Sequence, residues 1–465
     1  MNKQHVIVIG SSMAGLLTAR ILSDHFKNVT VLERDIFTDA PESRKGVPQG
    51  RHLHGLLATG GELLDHYFPK FRDELVAQGA VSGDMGETMQ WYMDGGYRMK
   101  FNWGRQGVSM SRPLIEYTVR KRVMSIPNVK IITNVNVKAL ISTSDHGRVV
   151  GVQFEQRQVD NAPQSLNADL VVDCTGRGSA TSKWLEAMGF AKPNENKVEI
   201  NVGYATRTYR RKPDQKLQLY LITPAAPQEK RMGVLFPIEG DRWIVSMGGL
   251  LGDHCPEDPQ GFLEFARNLP APDIYNLLKD SEPLSDIISH KYPANLRRHY
   301  EQLTRFPEGY LVLGDAVCSF NPIYGQGMTS AIMQADALNS LITKARSLDG
   351  LWRPFFKAAA KVVDMPWQLA VTTDFAYPEV KGAKPTGADF INSYVAKVHR
   401  ASHNDPVVYA AFLSCMNLFA PPSSLFKPNV LFRVLRDHWQ RDNTSRVIQT
   451  VNNPANQPSA VQPSA

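Results

Sequence analysis

Cysteine is scarce in this chain of 465 residues, which holds four: Cys174, Cys255, Cys318 and Cys415. They lie far apart and form no Cys-x-x-Cys pair, so the sequence predicts no zinc site and fits a reducing compartment without disulfides. The chain also lacks a run of about 18 apolar residues and a signal peptide before its first predicted strand. We therefore expect a cytoplasmic protein with no membrane-spanning helix and no bound metal.

Basic residues only slightly outnumber acidic ones: 52 basic and 45 acidic residues give a net charge of +7. No recognised nucleic-acid-binding module accompanies this charge, so we expect no nucleic-acid partner. With 43% hydrophobic and 21% charged residues, the chain has a globular composition. Its length allows two or three domains.

The N-terminal segment has the pattern of a nucleotide-binding βαβ unit. An apolar run at 5–9 precedes Gly10-Ser-Ser-Met-Ala-Gly15, a helical pattern follows, and a second strand ends at Glu33. Gly10 permits the tight turn, Gly15 permits close helix–strand packing, and the helix N-terminus attracts a pyrophosphate. The Glu33 carboxylate suits a ribose hydroxyl. An ordinary βα turn is the alternative. The candidate cofactor residues here are Gly10, Ser12, Met13, Ala14, Gly15, Glu33 and Arg34.

A second segment, at 311–328, has the pattern of the other end of the same nucleotide-binding site. The apolar run 311–313 ends at Gly314-Asp315, and a loop with Gly325 and Gly327 leads into a helical pattern. Asp315 suits a ribityl hydroxyl, and the N–H groups at the helix start suit negative charge on a reduced flavin ring. An ordinary strand–loop–helix connection is the alternative. The candidate cofactor residues here are Gly314, Asp315, Pro322, Gly325, Gly327 and Met328.

Three motifs in order resemble those of single-component FAD-dependent monooxygenases of the para-hydroxybenzoate hydroxylase fold class. They are Gly10–Gly15 with Glu33, Asp173-Cys174-Thr175-Gly176 with Ser179, and Gly314–Met328. The middle motif departs from the usual Asp-Gly pair by two inserted residues. The run 44–54 (RKGVPQGRHLH) is similar to one in the polyene epoxidases of polyether biosynthesis, with squalene epoxidase a more distant relative. The resemblance covers roughly residues 5–345.

The resemblance implies an α/β fold: a discontinuous Rossmann-like FAD-binding domain, an inserted β-sheet substrate domain and a helical C-terminal region. It implies FAD as cofactor, NADH or NADPH as transient electron donor, and O2 and a lipophilic small molecule as substrates. A flavin C4a-hydroperoxide would then hydroxylate or epoxidise a polyene, terpenoid or aromatic compound. It also implies cofactor contacts by Arg44, Arg112 and Val137, although Arg112 also suits a surface position at a helix start.

The predicted domain boundaries follow from these motifs and from local patterns. The predicted FAD-binding parts are 1–78, 110–185 and 290–345. The predicted substrate domain consists of an insertion at 79–109 and a β-sheet at 186–289. A helical C-terminal region is predicted at 346–451 and a disordered tail at 452–465. The segment 425–435 is amphipathic and basic. Packing against the cofactor domain is favoured over peripheral membrane contact there.

Other functions remain open from the sequence. A flavin-dependent reductase or dehydrogenase of an isoprenoid is the first alternative, and a non-catalytic flavin-binding protein is the second. A halogenase is disfavoured because the Trp-x-Trp-x-Ile-Pro motif is absent. The spacing of His52 and His54 does not suit a metal site without carboxylates. No catalytic base, substrate or oligomeric state is assigned.

Overall fold

The computed structural model describes residues 3–157 and 163–451, and of 444–451 only the helical backbone. The predicted tail at 452–465 lies outside the described residues. In chain order the strands are β1 (His5–Ile9), β2 (Asn28–Leu32), β3 (Val81–Asp84), β4 (Met89–Met93), β5 (Gly96–Tyr97), β6 (Gln106–Ser109), β7 (Val129–Ile132), β8 (Val135–Ser142), β9 (Val149–Gln156), β10 (Gln164–Asn167), β11 (Leu170–Asp173), β12 (Glu195–Arg210), β13 (Leu219–Ile222), β14 (Arg231–Ile238), β15 (Arg242–Gly249), β16 (Ile288–Arg298), β17 (Tyr310–Val312) and β18 (Cys318–Ser319).

The helices connect these strands and then form the C-terminal region. In chain order they are α1 (Met13–Leu22), α2 (Ala58–Tyr67), α3 (Phe71–Ala77), α4 (Met85–Thr88), α5 (Arg112–Met124), α6 (Thr181–Ala187), α7 (Pro259–Arg267), α8 (Asp273–Leu278), α9 (Gly327–Lys344), α10 (Trp352–Asp374), α11 (Ala388–Ala401), α12 (Pro406–Met416) and α13 (Pro428–Val451).

A five-stranded parallel sheet, in the order β17-β11-β1-β2-β7, forms the centre of the N-terminal half. Its strands come from all three ranges predicted for the FAD-binding domain. They are almost continuous apolar runs because helices cover a parallel sheet on both faces. Val6, Ile7 and Val8 of β1, for example, are completely buried.

The register of this sheet brings the sequence motifs to one edge. Ile9 pairs with Leu32 on one side and with Asp173 on the other, and Asp173 pairs with Val312. The four parallel strands therefore end at the same level. The residues that follow them meet at the carboxyl edge, where α/β proteins bind ligands.

An eight-stranded sheet, in the order β18-β16-β12-β15-β14-β13-β4-β5, forms the second layer. Its strands β4 and β5 come from the predicted insertion 79–109, and β12–β15 come from 186–289. The predicted boundary at residue 290 falls inside β16, which pairs with β12. This sheet therefore extends into a range that the sequence assigned to cofactor binding.

The C-terminal region is helical as predicted, and it packs against the eight-stranded sheet. Trp91 of β4 shares a buried cluster with Phe412 of α12 and with Val430 and Val434 of α13. The amphipathic segment 425–435 thus packs one face into this cluster, whereas the sequence predicted packing against the cofactor domain. Among the helices of the described chain, none is long and apolar enough to cross a membrane.

Candidate functional site

A cavity of about 1430 Å³ opens at the carboxyl edge of the parallel sheet and continues beneath the eight-stranded sheet. It brings together residues from both ends of the chain. Fourteen of the sixteen predicted cofactor residues line it: Gly10, Ser12, Met13, Ala14, Glu33, Arg34, Arg44, Arg112, Val137, Asp315, Pro322, Gly325, Gly327 and Met328.

The two remaining glycines lie behind the cavity wall and permit close packing. A Cβ atom on Gly15 would stand 1.8 Å from the carbonyl oxygen of Gly10, so α1 approaches the turn after β1 at backbone distance. Gly314 has a φ of +75°, and a Cβ atom there would lie 3.0 Å from the Cβ of Ala14. Both positions therefore need glycine for steric reasons.

Two helices begin at the cavity with no side chain capping their first turn. Ser12 precedes α1 and Gln326 precedes α9, and neither side chain accepts a hydrogen bond from its own helix. The first N–H groups of a helix have no partner within the helix, and its dipole is positive at this end. Both helix starts can therefore bind negative charge.

Glu116 on α5 joins the two predicted cofactor arginines in a buried network. Its carboxylate accepts from Arg44 Nε at 2.6 Å and lies 2.7 Å from Nη2 of Arg112. Arg44 also lies 3.3 Å from Glu33 and 3.1 Å from Asp35. Burial opposes ionisation of Glu116, but the charges of Arg112 and Arg44 outweigh it and lower the pKa of this carboxyl.

Arg112 keeps an unused donor beside the cavity. Its side chain is buried, Nη2 donates to Ser12 Oγ at 2.9 Å, and Nη1 has no partner in the described part of the chain. A buried guanidinium N–H without an acceptor is costly, and phosphate oxygens are good acceptors for it. With the two helix starts, this donor makes the site fit FAD.

Asp173, the first residue of the middle motif, has a structural role. Completely buried at the end of β11, it accepts from the backbone N–H of Thr175 at 2.8 Å and from the hydroxyls of Ser179 and Thr181 at 2.5 and 2.6 Å. These bonds shape the loop after the strand. Cys174 and Gly176 of that loop line the cavity.

Asp315 is a cavity carboxylate whose protonation the fold alters. Burial raises its pKa to about 6, and the nearby charges of Arg177 and Arg112 only partly offset this effect. The same group in the unfolded chain titrates at about 3.9. Between these values the folded protein binds more protons than the unfolded chain.

We therefore expect rising pH to destabilise the ligand-free protein at Asp315. Relative to the Asp315→Asn variant, the wild-type free energy of unfolding should fall by about 2 kcal/mol as the pH rises from about 4 to about 6.5. Chemical denaturation at constant ionic strength measures both proteins. Parallel pH curves for the two would contradict the assigned pKa.

Asp374 of α10 ties the C-terminal region to the loop before α9. Its completely buried carboxylate accepts from the side chains of Asn295, Asn321 and Tyr324 at 2.7, 3.0 and 2.8 Å. Asn321 and Tyr324 belong to the glycine-rich loop that the sequence assigned to the flavin. Asp374 could not be identified from the sequence, because its partners lie 50 or more positions away.

Replacing Asp374 by asparagine is expected to destabilise the protein by about 1–3 kcal/mol. The new amide places an N–H against the amide of Asn295, whose own oxygen already accepts from the backbone of Asn321. Thermal and chemical unfolding measure the loss. Asp389→Asn is a matched control because this carboxylate is largely exposed on α11, and it should change stability by less than about 0.5 kcal/mol.

Apolar side chains from β4, β13 and α12 line one part of the cavity. We call it the apolar chamber; its lining includes Met89, Trp91, Leu219, Leu221, Phe412 and Met416. The first four come from β4 and β13, as the predicted β-sheet domain requires. The last two come from α12, which the sequence assigned to a helical region without a site.

Comparison with known proteins gives the family. A family model described as an FAD binding domain matches residues 3–347. The Mycobacterium tuberculosis protein Rv3254 is 31% identical over 437 residues, which are 90% of each chain. Squalene monooxygenase of Rattus norvegicus is 26% identical over 345 residues, 70% of this chain but 52% of the relative. The chain thus spans about half the length of that relative.

Solved structures agree in fold. A flavoprotein/dehydrogenase from Cytophaga hutchinsonii has a TM-score of 0.65 at 15% identity, covering 97% of this chain and all of the other. The flavin-dependent brominase Bmp2 has a TM-score of 0.63 at 15% identity, covering 94% of this chain and all of the other. At such identities the likeness concerns the fold alone. The family model matches most of the chain. The chain therefore belongs to the FAD binding domain family and is an FAD-dependent monooxygenase of the para-hydroxybenzoate hydroxylase fold class.

Proposed function

We propose that the protein uses FAD, NADH or NADPH, and O2 to epoxidise or hydroxylate a lipophilic small molecule such as a polyene, a terpenoid or an aromatic compound. The continuous cavity carries this proposal. Its volume of about 1430 Å³ exceeds the roughly 300–1,000 Å³ of most small-molecule sites. There is room for a dinucleotide at the polar end and for a substrate in the apolar chamber.

The polar end would bind FAD through groups that keep bonding capacity. Glu33 Oε1 accepts from the N–H of Asp35 at 2.9 Å, and its other lone pair is available to a ribose hydroxyl. Arg112 Nη1 and the start of α1 suit the pyrophosphate, and Asp315 suits a ribityl hydroxyl. The start of α9 would stabilise negative charge on the reduced ring.

When bound, FAD reduced by NADH or NADPH supplies the activation of O2. The chain itself positions the substrate and excludes water. Leucine, methionine and aromatic side chains of the apolar chamber favour a substrate without charge on most of its length, and methionine adapts to irregular shapes. The relative named squalene monooxygenase supports oxygen insertion into such a molecule.

Oxygen labelling tests the proposal. The FAD-loaded protein is supplied with NADH or NADPH, ¹⁸O2 and a panel of polyenes, terpenoids and phenols. We expect substrate-stimulated oxidation of one nucleotide and one ¹⁸O atom in the product. Flavin reduction without label in any product would overturn oxygen insertion and favour the reductase or dehydrogenase alternative. Purified protein without flavin absorbance would overturn the cofactor assignment as well.

We further propose that one face of α13 contacts an anionic membrane, from which a lipophilic substrate enters. Phe432, Leu435 and Trp439 are 66%, 47% and 67% exposed, and they lie at helical spacing on one side of α13. The basic residue Arg436 is also exposed there. A basic and aromatic helix face of this kind suits a lipid interface.

A further exposed aromatic side chain lies beside the cavity. Phe390 of α11 is 70% exposed, and its ring stacks on Phe426 with centroids 6.4 Å apart. Phe426 in turn lines the cavity. An apolar molecule at Phe390 would therefore meet an apolar path that leads past Phe426 into the cavity.

Serine at Phe432, Leu435 and Trp439 together is expected to weaken binding to anionic vesicles by about tenfold or more, because three apolar side chains no longer enter the lipid. Co-sedimentation with phosphatidylglycerol-containing vesicles measures this. The control carries serine at Val76 and Met124, which are exposed on α3 and at the end of α5. Equal binding of both variants and the wild type would contradict the membrane proposal.

A further inference from the structure

A buried arginine lies behind the wall of the apolar chamber. Arg98 is 4% exposed, and its guanidinium carbon lies 4.5 Å from the ring centroid of Trp91 and 4.4 Å from that of Phe412. Aromatic faces stabilise a buried cation. In the described part of the chain Arg98 forms no ion pair with a carboxylate; its Nη2 lies 2.8 Å from Nδ1 of His399 on α11.

This contact determines the protonation of His399. A guanidinium group has donors and no acceptor, so Nδ1 must accept the hydrogen bond. The proton of the neutral imidazole is then on Nε2. Burial, together with the charge of Arg98, holds the pKa of His399 well below its ordinary value. His399 is therefore a neutral ring with a defined Nε2–H donor.

The donor is available to the cavity. His399 lines the cavity, and its ring meets that of Phe412 edge-on with centroids 4.9 Å apart. Nε2 has no hydrogen-bond partner among the described residues, and it is not one of the polar atoms sealed from solvent. A polar N–H thus borders the chamber beside the rings of Trp91 and Phe412.

We propose that His399 binds an oxygen acceptor of the substrate (a hydroxyl, carbonyl or carboxylate oxygen) in the apolar chamber, and that Arg98 is its positioning residue. The inference rests on the proposed function, since it names a feature of that substrate. A pure hydrocarbon in the chamber would displace water from Nε2 and leave the donor unpaired, which is costly. The pair therefore selects an apolar molecule with an oxygen function over its hydrocarbon analogue.

Binding of four probes with one carbon skeleton tests this inference. The FAD-loaded protein is titrated with farnesene, farnesol, farnesal and farnesoic acid by calorimetry, without NADH or NADPH. We expect at least one oxygenated probe to bind about tenfold or more tighter than farnesene, as one hydrogen bond to a buried donor allows. The acid and the uncharged probes separate a carboxylate from a hydroxyl or carbonyl acceptor.

Variants test whether His399 and Arg98 cause the preference for an oxygenated probe over farnesene. His399→Phe should weaken binding of the preferred oxygenated probe about tenfold and leave farnesene within about twofold. The Arg98→Met, His399→Phe double variant should bind the probes as the His399→Phe variant does. It also removes the buried guanidinium that would otherwise lose its acceptor on His399. His399→Gln keeps a donor near the Nε2 position and should retain most of the preference.

Equal affinity of the wild type for all four probes, including no measurable binding of any, would overturn the inference, and so would an unchanged preference in both phenylalanine variants. Failure of the proposed function would be seen in a different experiment, because the labelling assay measures oxygen transfer and these titrations measure binding without turnover. Nitrogen-15 spectra of histidine-labelled protein give a further readout. Protonation of His399 on Nδ1 instead of Nε2 would also contradict it.

Discussion

Replacing Gly15 by alanine is expected to yield protein without bound flavin and with a free energy of unfolding lower by about 3 kcal/mol or more. The added Cβ would stand 1.8 Å from the carbonyl oxygen of Gly10, far inside van der Waals contact. The oxygen belongs to the backbone of the β1–α1 turn and the Cβ would be fixed to the backbone of α1, so no side-chain rotation relieves the overlap. Helix α1 must move away from β1, and its N-terminus moves with it.

Absorbance near 450 nm per mole of protein and chemical unfolding measure the two effects. Gly61→Ala is the matched control, because Gly61 is also buried in a helix but an added Cβ would find its nearest neighbour at 3.9 Å. Alanine there should be neutral or slightly stabilising. A flavin-loaded Gly15→Ala protein with normal stability would contradict the close approach of α1 to the turn.

Removal of the Glu116 carboxylate is the second change with a large expected effect. The Glu116→Leu variant should lose about 3–5 kcal/mol of stability, because Arg44 and Arg112 would stay buried without their shared acceptor. Both arginine side chains and Glu116 are at most 7% exposed. Urea unfolding of the ligand-free protein measures the loss. Glu116→Gln keeps the shape of the side chain and one acceptor oxygen. Its free energy of unfolding should lie between those of the wild type and of Glu116→Leu.

An exposed ion pair separates the effect of burial from that of charge. Glu62 pairs with Arg105 at the surface, where the two side chains are 43% and 45% exposed. Glu62→Leu should cost less than about 1 kcal/mol because water screens and solvates both groups. If both leucine variants lost equal stability, the network around Glu116 would not depend on its burial.

Three strands of the parallel sheet, β1, β2 and β17, could be predicted closely because their signals are local. The first strand is predicted at 5–9 and runs over His5–Ile9; the second is predicted to end at Glu33 and runs over Asn28–Leu32. Strands buried on both faces are continuous apolar runs, and the glycines that end them are conspicuous. The same local signals account for eleven of the fourteen predicted residues that line the cavity, and the family resemblance added Arg44, Arg112 and Val137.

The partners of these residues could not be predicted in the same way. Glu116 is visible in the sequence as one acid of a helix, and Asp374 as one acid near the end of another. Their roles depend on Arg44, 72 positions from Glu116, and on Asn295, 79 positions from Asp374. Sequence spacing carries no information about contacts over such separations. Similarly, Phe412 follows the same helical pattern whether it fills a core or lines a chamber.

By itself, the sequence determined the nucleotide-binding edge of this protein, since turn glycines, buried strands and helix starts are set by neighbouring residues. Only the tertiary structure decided how that edge is held and what lies beyond it. It placed Glu116 between two arginines, Asp374 beneath the flavin loop, and His399 beside Arg98 at the wall of the chamber. The physical reason is that a buried charge or donor is defined by whatever the fold packs around it, and these partners come from distant parts of the chain.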